Sequence, residues 1–148
     1  METVIREIKE PRYSTLFAEI EVDSGAPKPW SINLYESEFL NPNIKCYGLF
    51  NQEVLLAFII FQVVIDEADI SNFVVKKDFQ DKGYGSKLLS SALSELKSAG
   101  IKKVKLEVRE SNLNAKHLYE KIGFRVTATR KGYYSDTGEL ALLMDLDF

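Results

Sequence analysis

Cysteine and histidine are scarce in this sequence, which has one of each among its 148 residues. Because Cys46 is the only cysteine, no disulfide can form within the chain, and this fits a reducing compartment. One cysteine and one histidine, His117, fall short of the clusters that bind zinc, so we expect no metal site. We predict that Cys46 is a small packed residue and that His117 lies at or near the surface of a helix.

An excess of positive charge and a long apolar run are also missing. The formal net charge is −3 without a basic patch, which argues against direct nucleic-acid binding and is compatible with a cationic substrate. The longest apolar segment, residues 54–65, is interrupted by Gln62 and is too short to cross a bilayer. No charged leader with a cleavage site opens the chain, so we expect a cytoplasmic protein. The length predicts one domain, residues 1–148.

Apolar residues recur with two periods, and these periods predict the order of the elements. Apolar residues at alternate positions indicate strands, and apolar residues three and four apart indicate helices. The resulting order is strand, two helices, three strands, helix, strand, helix and two strands, which is typical of a mixed α/β sheet with helices on both faces. The predicted strands span residues 3–8, 44–50, 54–65, 68–75, 103–109, 124–130 and 140–146, and the helices 13–22, 31–40, 88–99 and 115–122.

A glycine-bearing turn at residues 80–85 joins a strand to the most strongly amphipathic helix. The first amides of a helix have no partner inside the helix and lie at its positive end. Gly83 and Gly85 leave room for a phosphate beside the backbone. A Walker sequence is absent, and Leu88 stands where a Rossmann sequence needs its third glycine. The turn is therefore either another kind of phosphate site or an ordinary flexible loop.

The spacing Gln80-x-x-Gly83-x-Gly85 resembles the Q/R-x-x-G-x-G/A motif of the GCN5-related N-acetyltransferases (GNAT), whose loop binds the pyrophosphate of acetyl-CoA. The segment LEVRESNLNAKHLYEKIGF, residues 106–124, is similar to the strand and helix in which that family has N-x-x-A-x-x-L-Y-x-x-x-G-F. Residues 61–85, Pro29-Trp30-Ser31 and residues 130–134 further resemble the RimI-type members, which acetylate the N-terminal alanine of a small-subunit ribosomal protein.

This resemblance implies the acyl-CoA N-acyltransferase fold, with a mostly antiparallel twisted sheet, and acetyl-CoA as the cofactor. Glu107 matches the family's proposed general base, and Tyr119 matches its general acid. The strand at residues 73–75 would hold the acetyl-pantetheine arm, and the loop after it would hold the pyrophosphate. The implied cofactor-binding residues are Phe73, Val74, Val75, Gln80, Asp81, Lys82, Gly83, Tyr84, Gly85, Ser86 and Asn112.

The acceptor implied by the resemblance is a basic protein N-terminus, such as that of a ribosomal protein. Trp30, Tyr133 and Tyr134 suit the wall of a peptide groove, and they suit simple packing equally well. Leu140 stands where the family often has aspartate, which leaves open another amine as acceptor, or a non-catalytic CoA-binding module. Carboxylates that would attract a basic peptide are Glu36, Glu38, Asp136 and Glu139.

Alternation along residues 103–109 places Glu107 on the polar face of its strand. A carboxylate there can take a proton from an amine, directly or through water, before the amine attacks the thioester in a ternary complex. The alternative is a solvated glutamate that pairs with Lys105 or Arg109.

Tyr119 also has two interpretations. Its phenol can donate a proton to the leaving thiolate, or its ring can be part of the core beside Leu118 and Ile122. For the acyl oxygen, a backbone amide within residues 73–75 would be the stabilising donor if a bulge turned it away from the neighbouring strand.

Overall fold

The computed structural model describes residues 2–132 and 138–148, and its elements follow the order predicted from the sequence. Their bounds agree with the predicted ones to within a few residues; the largest difference is that the third helix begins at Tyr84, ahead of Gly85. The strands are β1 (Val4–Glu7), β2 (Ile44–Asn51), β3 (Val54–Val64), β4 (Glu67–Val75), β5 (Lys103–Arg109), β6 (Arg125–Arg130) and β7 (Ala141–Asp147). The helices are α1 (Ser14–Ser24), α2 (Ile32–Leu40), α3 (Tyr84–Ser98) and α4 (Leu113–Ile122).

Within the described residues, all seven strands form one sheet in the order β1-β2-β3-β4-β5-β7-β6. Every neighbouring pair is antiparallel except β4 and β5, which are parallel. The long apolar strand β3 pairs with β2 on one side and β4 on the other, as its continuous apolar sequence predicts. The mostly antiparallel mixed sheet is therefore confirmed.

Helices cover both faces of the sheet because successive side chains of β3 point in opposite directions. Phe58 and Ile60 pack under α1 and α2, where the ring of Phe17 stacks on that of Phe58 at 3.9 Å between centroids. Ile59 and Phe61 pack on the other face against α3 and α4. Cys46 is buried in the first of these two cores, as predicted. No helix among the described residues is long and apolar enough to span a bilayer.

The parallel ladder between β4 and β5 is short, and this shapes the molecule. Only three residue pairs join the two strands, from Glu67 opposite Lys103 to Asp69 opposite Lys105. Beyond these pairs a bulge interrupts β4, because Ile70 and Asn72 lie opposite consecutive residues of β3 and leave Ser71 as the extra residue. The second halves of β4 and β5 are thus unpaired with each other, and a cleft opens between them.

Candidate active site

The cleft has a volume of about 760 Å³ and is lined by the second halves of β4 and β5, residues 70–75 and 106–109. The loop before α3, residues of α4 as far as Tyr119, and the end of α1 with residues 25–27 complete its walls. This arrangement brings the predicted phosphate loop, the predicted base and the predicted acid into one site.

The backbone of β4 presents alternate amides to the cleft. Lys76 donates its N–H to Leu56 O of β3 at 2.8 Å, so by alternation the N–H and C=O groups of Phe73 and Val75 point away from β3 and into the cleft. The cleft-facing amides come from this alternation and the divergence of β5. The bulge itself lies at Ser71, upstream of the segment where we expected it.

Two side chains hydrogen-bond to these cleft-facing groups. Gln80 donates from Nε2 to Val75 O at 3.0 Å, so its side chain ties the phosphate loop to β4. The N–H of Phe73 donates to Asn72 Oδ1 at 2.9 Å.

The loop before α3 presents uncovered amides. Among the described residues, no carbonyl oxygen accepts a hydrogen bond from the amides of residues 81–86, and no side chain caps the helix. The first bonded amide is that of Lys87, which donates to Gly83 O at 3.1 Å. Asp81 and Gly83 have positive φ angles of 59° and 88°, and this left-handed backbone turns the amides outward. Such a row of amides at a helix N-terminus is an anion site.

Gly85 is required for close approach rather than for an unusual backbone angle. A Cβ at this position would lie 3.3 Å from Val75 Cγ2 and 3.5 Å from Phe73 Cζ. Gly85 and Ser86 line the cleft, whereas Lys82 and Tyr84 do not. The aromatic ring of Tyr84 and the ammonium of Lys82 each lie 6.0 Å from the Phe79 ring centroid.

Glu107 lies on the cleft wall formed by β5, and its side chain is 33% exposed. The burial pattern of β5 confirms that it is on the polar face. Its ion-pair partner is Arg130 of β6, at 3.5 Å, and not Lys105 or Arg109. Lys105 pairs instead with acidic residues of β4, and Arg109 pairs with Glu139 at 3.2 Å.

Tyr119 is buried on α4, with its ring centroid 6.5 Å from that of Phe73 and 5.6 Å from that of Phe124. It is both part of the α3-side core and a residue of the cleft wall. Burial raises the pKa of its hydroxyl, so the phenol stays protonated at neutral pH. Asn112 also lines the cleft, and its side chain caps α4 by accepting the N–H of Ala115 at 3.2 Å.

None of the predicted acceptor-binding residues that the structure describes lines the cleft. Trp30 does not line the cleft; its ring packs on that of Tyr35 at 5.2 Å between centroids, and its backbone N–H donates to Glu21. Tyr133 and Tyr134 lie outside the described residues. Among the predicted carboxylates, Glu36 and Glu38 are on α2 away from the cleft, Asp136 is outside the described residues, and Glu139 accepts from Arg109 and Ser111.

The sequence did not reveal a buried polar network beside the cleft. Glu21 of α1 is 4% exposed and bonds Tyr35, which in turn contacts Asn72 of β4. A signal was available, because Glu21 follows Phe17 by four residues and therefore shares the apolar face of α1. Within the described part of the chain, no three His, Cys, Asp or Glu side chains lie close enough to hold a metal ion together.

This geometry is that of an acyltransferase with a phosphate-bearing cofactor, and comparison with known families agrees. Residues 3–124 match the acetyltransferase (GNAT) family. The chain therefore belongs to that family, and the protein is an acetyl-CoA-dependent N-acetyltransferase. The family resemblance drawn from the sequence is confirmed.

Named relatives are similar over most of their length. The ribosomal protein bS18-alanine N-acetyltransferase of Haemophilus ducreyi is 35% identical over 136 residues, 88% of each chain. The crystal structure of the ribosomal-protein-S18-alanine N-acetyltransferase from Escherichia coli matches with a TM-score of 0.91 at 33% identity, over 99% of this chain and 94% of that one. A more distant structure, the PaiA N-acetyltransferase from Thermoplasma acidophilum in complex with coenzyme A, shows the same fold at 21% identity, with a TM-score of 0.80 over 100% of both chains.

Proposed function

We propose that this enzyme acetylates the α-amine of a protein that begins with alanine, and that its acceptor is a small-subunit ribosomal protein. The names of its relatives support the acceptor. The observation that supports the chemistry is the row of uncovered amides at residues 81–86 in the same cleft as Glu107. Because ribosomal proteins are made in the cytoplasm, we propose that the enzyme acts there.

The chain has the groups needed to hold acetyl-CoA along β4 and the start of α3. The amides of residues 81–86 suit the pyrophosphate, since phosphate oxygens accept hydrogen bonds from helix N-termini. The cleft-facing backbone of Phe73 and Val75 suits an extended amide-containing arm, which can bond to it as an added strand would. The absence of a side chain at Gly85 lets that arm pass close to the loop. When bound, acetyl-CoA supplies an activated acyl carbon and a thiolate leaving group.

Glu107 is proposed to take the proton that the acceptor ammonium must lose. A free α-amino group has a pKa of about 8, so at neutral pH most of the acceptor is protonated and cannot attack. A carboxylate on the cleft wall can accept this proton directly or through a water molecule. Glu107 pairs with Arg130 at 3.5 Å, and the cationic acceptor is expected to compete with Arg130 for this carboxylate.

Tyr119 is proposed to supply a proton to the departing sulfur. Its phenol is protonated at neutral pH because burial raises its pKa, and no side chain among the described residues uses its hydroxyl as a hydrogen-bond partner. It contacts Phe73, whose amide faces the cleft. The acid and the acyl-binding strand are thus on the same side of the site.

The proposal is tested with purified enzyme, acetyl-CoA and a synthetic basic peptide that begins with alanine, by following thiol release and peptide mass. We expect one acetyl group on the N-terminus, and no reaction when the same peptide has a blocked N-terminus. Turnover of polyamines or free amino acids without turnover of the peptide would overturn the acceptor. Binding of CoA without turnover of any amine would overturn catalysis. Mass spectrometry of protein N-termini in cells without the enzyme identifies the natural acceptor.

A further inference from the structure

A line of hydrogen bonds runs from α1 to the bulged part of β4. The carboxylate of Glu21 accepts the N–H of Trp30 at 2.9 Å and the O–H of Tyr35 at 2.5 Å, both on Oε1. Asn72 donates from Nδ2 to the Tyr35 hydroxyl oxygen at 2.8 Å, and the N–H of Phe73 donates to Asn72 Oδ1 at 2.9 Å. A buried carboxylate is therefore connected to a backbone amide that faces the cleft.

The donors and acceptors in this line fix one orientation of the Asn72 amide. Burial and the hydrogen bond to Glu21 raise the pKa of Tyr35. Its hydroxyl therefore stays protonated and donates a hydrogen bond to the carboxylate. The hydroxyl oxygen can still accept a hydrogen bond, and the donor must then be the NH₂ group of Asn72. The Asn72 oxygen must then face the amide of Phe73. A reversed amide would lose both bonds.

The hydroxyl at the centre of the line cannot shift easily, because the Tyr35 ring is fully buried. The centroid of the Tyr35 ring lies 5.6 Å from that of Phe17, 5.8 Å from that of Phe58 and 5.2 Å from that of Trp30. Ordered aromatic packing of this kind leaves a side chain one rotamer. The polar line is thus anchored in the hydrophobic core between the sheet and the first two helices.

The other end of the line lies where the geometry of the acyl site is decided. Asn72 follows the extra residue of the bulge, at the point where β4 leaves β5. The ring centroid of Phe73 lies 6.5 Å from that of Tyr119, and both residues line the cleft. One N–H can serve the Asn72 oxygen and an acyl oxygen together, because three-centre hydrogen bonds are common in proteins.

We propose that Tyr35 is a positioning residue for acetyl transfer: through Asn72 it holds the Phe73 amide turned into the cleft, where that amide stabilises the acyl oxygen of the thioester. This inference rests on the proposed function, since it deepens the account of the same site. Tyr35 touches neither the acceptor nor the cofactor in this role. It acts by restricting the motion of one amide, whose direction the alternation along β4 sets.

The first test replaces the hydroxyl but keeps the ring. We expect Tyr35→Phe to lower kcat by roughly 10-fold, less than the roughly 100-fold loss that follows outright removal of such a donor. The KM for acetyl-CoA should change less than about 2-fold, because the amides of residues 81–86 are untouched. The matched control is Tyr47→Phe, since Tyr47 is also buried but lies on the α3 face against Phe61. Its kcat should equal that of the wild type. Equal losses in both variants, or a loss confined to KM, would overturn the proposal.

The second test asks whether Tyr35 acts through Asn72. If it does, the double variant Tyr35→Phe/Asn72→Ala should have the same kcat as Asn72→Ala alone, because the link is already broken. Multiplied losses would show independent effects and overturn the proposal. If Tyr35→Phe does not fold, Asn72→Ala still decides the matter, since a wild-type kcat in that variant also overturns it.

A third measurement needs no acceptor, so its failure is distinct from failure of the proposed substrate. In ¹⁵N-labelled protein, the amide resonance of Phe73 should move in Tyr35→Phe and in Asn72→Ala but not in Tyr47→Phe. It should move again in the wild type when acetyl-CoA is added. An unchanged Phe73 resonance in Tyr35→Phe would overturn the proposal, because it would show that the hydroxyl does not hold this amide in place.

Discussion

Glu107 differs from a buried catalytic acid in that it is partly solvated and already paired with a cation, Arg130. A partly exposed carboxylate on the cleft wall can be reached by the amine whose proton it would accept. The negative charge of Glu107 can also attract the incoming ammonium. The residue is therefore suited to the base role by its exposure and its partner together, and the strand alternation that put it on the polar face was readable from the sequence.

Replacing Glu107 by glutamine should lower kcat/KM for the peptide by on the order of 100-fold at pH 7, the lower range for loss of a general base. The deficit should shrink above about pH 8, because the α-amine then loses its proton without help. The activity profile of the variant is thus displaced to higher pH. Steady-state rates between pH 6 and 10 measure this. Glu110→Gln, on an exposed residue beyond the cleft wall, is the control and should behave as wild type. A profile unchanged in Glu107→Gln would assign the base to another residue.

Replacing Tyr119 by phenylalanine should lower kcat by up to about 100-fold, within the range for general-acid catalysis, while cofactor affinity stays near that of the wild type. In the wild-type enzyme, ionisation of Tyr119 should not lower the activity in mildly alkaline solution. Burial raises the folded-state pKa of Tyr119 above its ordinary value, so the proton needed for catalysis is lost only beyond that value. Rates measured up to pH 10 test whether the pKa of Tyr119 is raised. An alkaline fall in kcat below pH 10 that vanishes in Tyr119→Phe would contradict it.

The start of α3 is the element that we propose to bind the cofactor's pyrophosphate. No side chain of the described residues caps its amides, and Gly85 packs closely on β4, where a Cβ would lie 3.3 Å from Val75 Cγ2. Both features follow from the glycine spacing. The sequence therefore predicts an anion site at this place, whereas the separate contributions of Gln80, Lys82 and Tyr84 depend on side-chain directions that the spacing does not determine.

We expect Gly85→Val to weaken binding of CoA by roughly 10- to 100-fold, which corresponds to loss of about 1.5–3 kcal/mol of charge-assisted hydrogen bonding. A Cβ at this position would lie 3.3 Å from Val75 Cγ2, so the larger valine side chain is expected to displace the Val75 side chain or the helix start. At saturating cofactor, kcat should change much less. Isothermal titration with CoA measures the affinity, and Ser90→Val on the exposed side of the same helix controls for the helix propensity of valine. Equal affinities in the two variants would refute the loop assignment.

Other features of these elements were beyond the reach of periodicity. The position of a bulge depends on the register of two strands, which single-residue spacing does not record, and the bulge fell at Ser71 instead of within residues 73–75. Trp30 was predicted either in the groove wall or in simple packing; its ring centroid lies 5.2 Å from that of Tyr35, and its backbone N–H donates to Glu21. That bond joins residues nine positions apart in two different segments. Tertiary contacts of this kind decide side-chain direction after the elements have formed.

At the scale of the whole molecule, the sheet consists of two parts that meet at a weak seam. Strands β1 to β4 form one part and β5, β7 and β6 form the other, and three residue pairs of a parallel ladder connect them. Helix α3 and α4 share a hydrophobic core that spans the seam. The cleft exists because the seam is short, so the feature that creates the active site also removes hydrogen bonds that a complete sheet would have.

In the proposed mode of binding, acetyl-CoA would contact β4, the start of α3 and the start of α4, and it should therefore stabilise the fold across the seam. At a concentration 100 times its Kd, a ligand that binds only the folded state adds about 2.7 kcal/mol to the free energy of unfolding. For a chain of this size the gain corresponds to a rise in Tm of roughly 5–10 °C, measurable by differential scanning calorimetry. Amide hydrogen exchange should slow in residues 70–75 and 106–109, which face each other across the cleft. In Gly85→Val the same concentration should raise Tm by clearly less, since the fractional excess over Kd is smaller. An equal rise in both proteins, or protection confined to α3, would show that the cofactor does not bridge the two parts of the sheet.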